Sequence, residues 1–223
     1  MQAVILAAGK GTRMGELTRN QQKVLLKKRG SDFSMLENNL RNLPDEIDKA
    51  IIVVGFKQDS VRKAIGDLYD GKEIIYVQQK ELKGTAHALS LCEEYLSGKF
   101  LVLMGDDVYQ KADLEKLIEQ DLGILVKLQE EDRQTDFLAP IEQDKNGNAV
   151  SVVERQQAKK EMLINTGAYV LDKRFFELPM RKAGNKTEEY GLPQTFMQMR
   201  DKDIKIVYAT SWKKITTPED LKL

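Results

Sequence analysis

Short apolar runs of strand length recur through the first half of the chain, at residues 3–6, 50–54, 74–77, 100–104 and 123–126. Between them apolar positions return at helical spacing, over 35–43, 60–68, 86–95 and 114–119. Strand alternating with helix predicts an α/β fold, a mixed, mainly parallel central sheet with helices on both faces. Ligands in such sheets bind beyond the C-terminal ends of the strands.

The second half changes pattern. Strand-like runs at 137–141 and 150–154 flank a polar stretch holding Asn146-Gly147, a strong turn signal, and so predict a β-hairpin. A longer run at 164–171 predicts a further strand, followed by helical stretches around Phe175 and over 192–200 and a late strand at 204–208. No repeat, low-complexity segment or linker interrupts the chain. The expectation is one unit, 1–223, with a ligand-binding half to about residue 110 and a small lobe with a closing segment over about 111–223. No accessory domain is expected after Leu221.

The first strand breaks into Ala7-Ala8-Gly9-Lys10-Gly11-Thr12-Arg13-Met14. Just past Leu6, which is placed at the ligand with them, Ala7, Ala8, Gly9 and Gly11 let the backbone approach a ligand and offer main-chain N–H groups. Thr12 and Arg13 add a hydroxyl and a fork-shaped cation suited to phosphate oxygens. Two familiar phosphate loops are excluded by counting. A dinucleotide fingerprint needs a third glycine where Met14 stands, which argues against a dinucleotide-dependent oxidoreductase, and no Gly-Lys-Ser/Thr follows at the spacing of an ATPase loop.

Composition narrows the partners. The 35 basic and 35 acidic residues cancel, so net charge points to neither nucleic acid nor an anionic membrane. Cys92 is the only cysteine, which excludes an internal disulfide, suits a reducing cytoplasm and reads as a buried structural thiol. No signal-peptide or membrane-spanning pattern is visible, and a cytoplasmic protein is expected.

The loop through Met14, followed by Leu17-Thr18 and Lys23-Val24-Leu25-Leu26, resembles the nucleotide loop of the sugar-1-phosphate nucleotidylyltransferases, and Gly84-Thr85-Ala86-His87-Ala88 resembles the form found in uridylyltransferases. The resemblance implies a Rossmann-like, GT-A-like fold with a small sugar-binding lobe. It implies that Arg13 and Lys23 meet the phosphates of a nucleoside triphosphate. The family usually carries proline before that lysine; Gln22 here alters backbone stiffness rather than charge.

Four later stretches match in the family's order. The run from Gln79 through Gly84, Thr85 and Ala86 resembles the base-recognition segment, with Thr85 also a plausible helix N-cap. Asp106, in Met104-Gly105-Asp106-Asp107, falls on the family's magnesium ligand, and Asp107 is expected beside it at the nucleotide, with a turn residue or a support as the plainer alternative. Glu154-Arg155 resembles the sugar-binding Glu-Lys pair, arginine replacing lysine, and Asn165-Thr166-Gly167 the Asn-x-Gly strand beside the sugar. Glu189 and Tyr190 join the sugar lobe. His87, the only histidine, falls in a helical pattern and reads as packing or helix support, because a phosphate nucleophile is already ionised.

One position departs in sign. In the family an Asp or Asn two residues after a C-terminal tryptophan completes metal binding; after Trp212 that position is Lys214. At about 4 Å and an effective dielectric of about 20, one unit charge acts on another by about 4 kcal/mol, and a divalent ion doubles that. Lys214 therefore does not substitute for a ligand: either it swings away and a metal relies on Asp106, phosphates and water, or its ammonium itself neutralises phosphate, or activity is weak or lost. The resemblance implies an Mg²⁺-dependent transfer from UTP to a sugar 1-phosphate, with homo-oligomerisation left open. Two alternatives stand beside it: a non-catalytic nucleotide-sugar-binding regulatory homologue, and a cytidylyltransferase acting on a phosphoamino alcohol.

Overall fold

The computed structural model describes residues 1–55, 57–153, 156–185 and 187–222. The first half holds strands β1 (Gln2–Ala7), β2 (Lys49–Val54), β3 (Leu68–Tyr69), β4 (Lys72–Gln78) and β5 (Lys99–Met104), with helices α1 (Met35–Arg41), α2 (Gln58–Ile65) and α3 (Thr85–Ser90) between them. The second half holds β6 (Asp107–Tyr109), α4 (Lys111–Ile118), β7 (Gly123–Leu128), β8 (Arg133–Leu138), β9 (Pro140–Gln143), β10 (Ala149–Val152), β11 (Gln156–Ala158), β12 (Leu163–Asp172), α5 (Leu192–Phe196), β13 (Lys205–Tyr208) and β14 (Trp212–Lys214).

The large sheet is mixed with a parallel centre, as predicted. β4, β2, β1 and β5 lie side by side in parallel. β12 runs antiparallel to β5 and carries β9, β10 and β7 beyond it, while β13 pairs with β7. The chain leaves β1 for β2 and β4 on one side, then returns to β5 on the other. That reversal opens a crevice at the C-terminal end of β1, where a doubly wound sheet takes its ligand.

Both faces of the sheet are covered. Val4 and Leu6 of β1 pack with Ala86 and Leu89 of α3 and Leu192 and Phe196 of α5. Ala3, Ile5 and Ala7 pack on the other side with Leu36 and Leu40 of α1, Val61 of α2 and Leu114 and Leu117 of α4. Period-two alternation sends successive residues to opposite cores, so a strand buried on both faces reads as continuous apolar sequence. Each fully buried aliphatic side chain contributes about 1.5–3 kcal/mol. The glycine loop thus leaves a firmly anchored strand.

Several boundaries differ from expectation. The helix expected over 60–68 ends at Ile65, and Leu68 opens the edge strand β3. The one expected over 86–95 stops at Ser90 and resumes as a 3-10 turn at Glu93–Tyr95, and α5 passes into a 3-10 segment after Phe196. The run at 137–141 divides into β8 and β9, because Pro140 has no N–H to continue a ladder and starts a new strand. β9 and β10 form the expected hairpin, and Asp144 Oδ1 closes its turn by accepting from the N–H groups of Asn146 and Asn148 at 2.8 and 2.9 Å. β10 ends at Val152, and the rest of the expected 150–154 run reaches Glu154, outside the described residues. Cys92 is buried, and desolvation pushes its thiol up to about 12. No helix among the described residues is long and apolar enough to cross a membrane.

Candidate functional site

A cavity of about 640 Å³ lies at the C-terminal end of β1. Its lining includes Leu6, Ala7, Ala8, Gly9, Gly11, Thr12, Arg13, Lys23, Gln79, Gly84, Thr85 and Asp106, residues singled out from three separate stretches of sequence. Met104, Leu82, Ala183, Glu189, Tyr190 and Thr216 complete much of the wall. A neighbouring cavity of about 750 Å³ shares Ala8, Lys10, Gln79 and Leu82 and extends past Gln22 and Lys57.

The loop after β1 is held from behind. A Cβ added to Gly55, just after β2, would lie 2.4 Å from the Ala8 carbonyl oxygen, so only glycine lets the two backbones meet there. Met14 is buried with Leu26, Met35, Ile215 and Leu221, which ties the loop's far end to the C-terminal segment. Lys57 Nζ donates to the carbonyls of Thr18 and Arg19 at 2.7 and 2.5 Å. Gln22, buried, satisfies its amide when the nitrogen donates to Gly9 O at 3.3 Å and the oxygen accepts from Lys57 N at 3.2 Å. Gln22 therefore bridges the loop to the start of α2. The N–H groups of Gly9, Lys10 and Gly11 donate to nothing among the described residues, and they stand ready for an anion.

Lys23 and Asp106 meet on the cavity floor. Lys23 is buried, and its ammonium donates to Asp106 Oδ2 at 2.6 Å and to the Ile215 carbonyl. The Asp106 side chain is 40% exposed and opens to the cavity. Asp107 turns the other way. It is buried, Trp212 Nε1 donates to its Oδ2 at 3.2 Å, and Asn39 Nδ2 donates to its carbonyl at 2.8 Å. Burial, with the neighbouring Asp106 carboxylate, pushes the Asp107 carboxyl up to about 8 against the pull of the Lys214 and Lys23 ammoniums.

Lys214 lies directly opposite Asp107 in the antiparallel β6–β14 ladder. Cross-strand partners share a face, so Lys214 sets its charge against a buried carboxylate. Asp107, expected at the nucleotide, is instead buried behind the cavity with its carboxylate taken by Trp212, and neither it nor Lys214 lines the cavity. Two strands of three residues each leave no periodic trace in the chain, so the placement of Lys214 was legible only as an anomaly.

The second wall is the segment after β4. Gln79 is buried; its Nε2 lies 3.1 Å from Gly84 O and 3.0 Å from His87 Nδ1. His87, expected to pack or support its helix, instead partners this glutamine. Gly84 adopts φ +97° with the Tyr190 backbone against it, and a Cβ there would fall 2.3 Å from Tyr190 O. Thr85 is not the N-cap of α3: Gly84 takes that position without a side-chain cap, and Thr85 Oγ1 accepts from Leu192 N at 2.9 Å. Glu189 and Tyr190, assigned to the lobe, reach the cavity through this docking.

Asn165 and Gly167 lie in β12, outside the cavity lining. Asn165 uses both ends of its amide internally, Nδ2 donating to the Tyr169 hydroxyl at 2.7 Å and Oδ1 accepting from Gly167 N at 2.9 Å. Glu154 and Arg155 lie outside the described residues.

A family model described as nucleotidyl transferase matches residues 2–222. The bifunctional protein GlmU of Methanococcus aeolicus is 27% identical over 223 residues, covering 99% of this chain and 53% of that protein. The UTP–glucose-1-phosphate uridylyltransferase AglF of Haloferax volcanii is 31% identical over 190 residues, 79% of this chain and 74% of AglF. The chain spans about half the length of the GlmU relatives it matches. Among solved structures, the inositol-1-phosphate CTP transferase from T. maritima superposes with a TM-score of 0.76 at 21% identity, covering 98% of this chain and 90% of that one. That likeness is one of fold.

Proposed function

The chain belongs to the nucleotidyl transferase family, and on that footing we propose that it transfers a nucleotidyl group from a nucleoside triphosphate, UTP by preference, to a sugar 1-phosphate. The products are a nucleoside-diphosphate sugar and pyrophosphate. The observation that carries this reading is the pairing of Lys23 with Asp106 at 2.6 Å on the floor of the cleft that the glycine loop overhangs. A cation and a carboxylate set beneath a row of open backbone N–H groups suit a polyphosphate better than a neutral ligand.

A phosphate oxygen of the sugar 1-phosphate attacks the α-phosphorus in line, and the bond from that phosphorus to the bridging oxygen breaks, its electron pair leaving with pyrophosphate. The nucleophile is already ionised, so no side chain has to remove a proton. Both reactants are anions, and catalysis consists of positioning and charge neutralisation. Arg13, Lys23 and the loop N–H groups take the triphosphate; Gln79, Gly84 and Thr85 take the base side. Glu154, Arg155, Asn165 and Gly167 are assigned to the sugar phosphate by family resemblance. The whole chain then acts as one nucleotidyltransferase domain, its nucleotide half ending near residue 110.

Magnesium takes one or two carboxylates together with phosphate oxygens and water. Asp106, half-exposed and open to the cleft, fits that requirement, whereas the described residues hold no group of three or more His, Cys, Asp or Glu to form an all-protein cage. Asp106 would hold Mg²⁺, which would supply positive charge to offset that of the phosphate oxygens. Lys214 serves Asp107 rather than the metal.

Incubation with UTP, Mg²⁺ and a panel containing glucose 1-phosphate and N-acetylglucosamine 1-phosphate should release pyrophosphate with at least one acceptor. Nucleotide-sugar binding without release for any donor and acceptor would overturn the enzyme reading in favour of a regulatory binder.

A further inference from the structure

Gln79 and His87 are linked by a contact whose direction can be worked out from chemistry alone. Gly84 O, 3.1 Å from the Gln79 side chain, is a carbonyl and only accepts, so the atom facing it must be Nε2. That amide nitrogen carries two hydrogens. One goes to Gly84 O, and the second points to His87 Nδ1 at 3.0 Å. Nδ1 must then be the acceptor, which places the proton of a neutral imidazole on Nε2. Both hydrogens of the amide are thereby spent inside the wall. Oε1 has no hydrogen-bond partner among the described residues, and Gln79 lines both cavities. A free glutamine offers a donor and an acceptor in either order; this one is locked.

We propose that His87 is a specificity-determining positioning residue, which by accepting at Nδ1 holds Gln79 with Oε1 outward and so makes the base pocket present an acceptor. The inference rests on the nucleotidyl-transfer reading above and deepens it by naming the class of base. Uracil and thymine carry N3–H, a donor, at the centre of the edge such an acceptor meets; cytosine carries a bare N3, an acceptor, and two acceptors repel. Rotating Gln79 to suit cytosine would turn Oε1 toward Gly84 O, acceptor against acceptor, and would oblige His87 to move its proton to Nδ1. The lock therefore costs a cytidine nucleotide twice, once at the base and once behind the glutamine.

Because His87 is the only histidine, its ring nitrogens can be read without assignment ambiguity. Long-range ¹⁵N–¹H NMR of the full chain, with the imidazole neutral, should show Nδ1 unprotonated and the proton on Nε2. A proton on Nδ1 would overturn the proposal whatever nucleotides bind. Calorimetric titration with UTP and with CTP supplies the second arm. In His87→Phe, which removes the acceptor, the ratio of the CTP to the UTP dissociation constant should fall about tenfold, the weight of one neutral hydrogen bond. His87→Asn, whose side-chain oxygen can stand in for Nδ1, should restore the ratio. A ratio unchanged in His87→Phe, or equally collapsed in a folded His87→Asn, would overturn the proposal. If the wild-type chain bound neither nucleotide, the transferase reading and the inference built on it would both fall, even with the tautomer as expected.

Discussion

Asp106 and Asp107 carry the same carboxyl group into different surroundings. Asp106 opens to the cleft beside Lys23, while Asp107 is buried against β14, which sets Trp212 and Lys214 beside it. Replacing Asp106 with alanine should lower pyrophosphate release by about 10²–10³-fold, as expected when one group that stabilises developing phosphate charge is lost. Its stability in urea should change by no more than about 1 kcal/mol, because the Lys23–Asp106 pair is partly exposed and Lys23 keeps the Ile215 carbonyl. Lys214 makes the opposite case. Lys214→Met removes charge from beside a buried carboxyl and should cost about 1–3 kcal/mol in urea unfolding, limited because Asp107 takes up a proton readily. Lys214→Asp should cost more than Lys214→Met; the reverse order would show that Lys214 does not serve Asp107. Lys23 and Asp106 were legible because each sits inside a contiguous stretch with a recognisable neighbourhood. Gln22 and His87 were not, since their partners, Lys57 and Gln79, are defined by the fold and not by sequence spacing.

At the level of elements, the central strands stood out because burial on both faces leaves an unbroken apolar run, and Asn146-Gly147 marked the hairpin. β6 and β14 were invisible, as three residues are too few to show a period of two, yet their pairing decides where Lys214 lies. Asn165, read as a sugar neighbour, spends its amide on Tyr169 and Gly167, a use that no linear pattern announces. The position of the glycine loop after β1 depends on a glycine that carried no signal of its own. Gly55→Ala would drive a Cβ into the Ala8 carbonyl. It should destabilise the chain by about 1–3 kcal/mol and weaken nucleoside triphosphate binding in calorimetry, because the loop and β1's end must shift together. Unaltered affinity would mean that the Gly55–Ala8 contact does not position the loop.

Across the whole molecule, two apolar cores clamp one sheet, and the cleft sits where strand order reverses at β1. Strand–helix alternation made that architecture readable in advance, while the way residues 189–192 dock on Gly84 and its neighbours was not, because the backbone of Tyr190 makes the central contacts. Cys92 reports on this core. With its thiol buried and pushed up to about 12, it should resist a chromogenic thiol reagent in the folded protein and react fully once urea unfolds the chain; rapid labelling without denaturant would indicate a loosely packed α3 side. The account's central claim is chemical transfer at this cleft. ³¹P NMR of the protein with UTP, Mg²⁺ and a sugar 1-phosphate tests it most directly. The account predicts the loss of the triphosphate and sugar-phosphate signals with the matched appearance of a diphosphodiester and pyrophosphate. Conversion of UTP to UDP and inorganic phosphate, or no conversion with any acceptor tried, would contradict it.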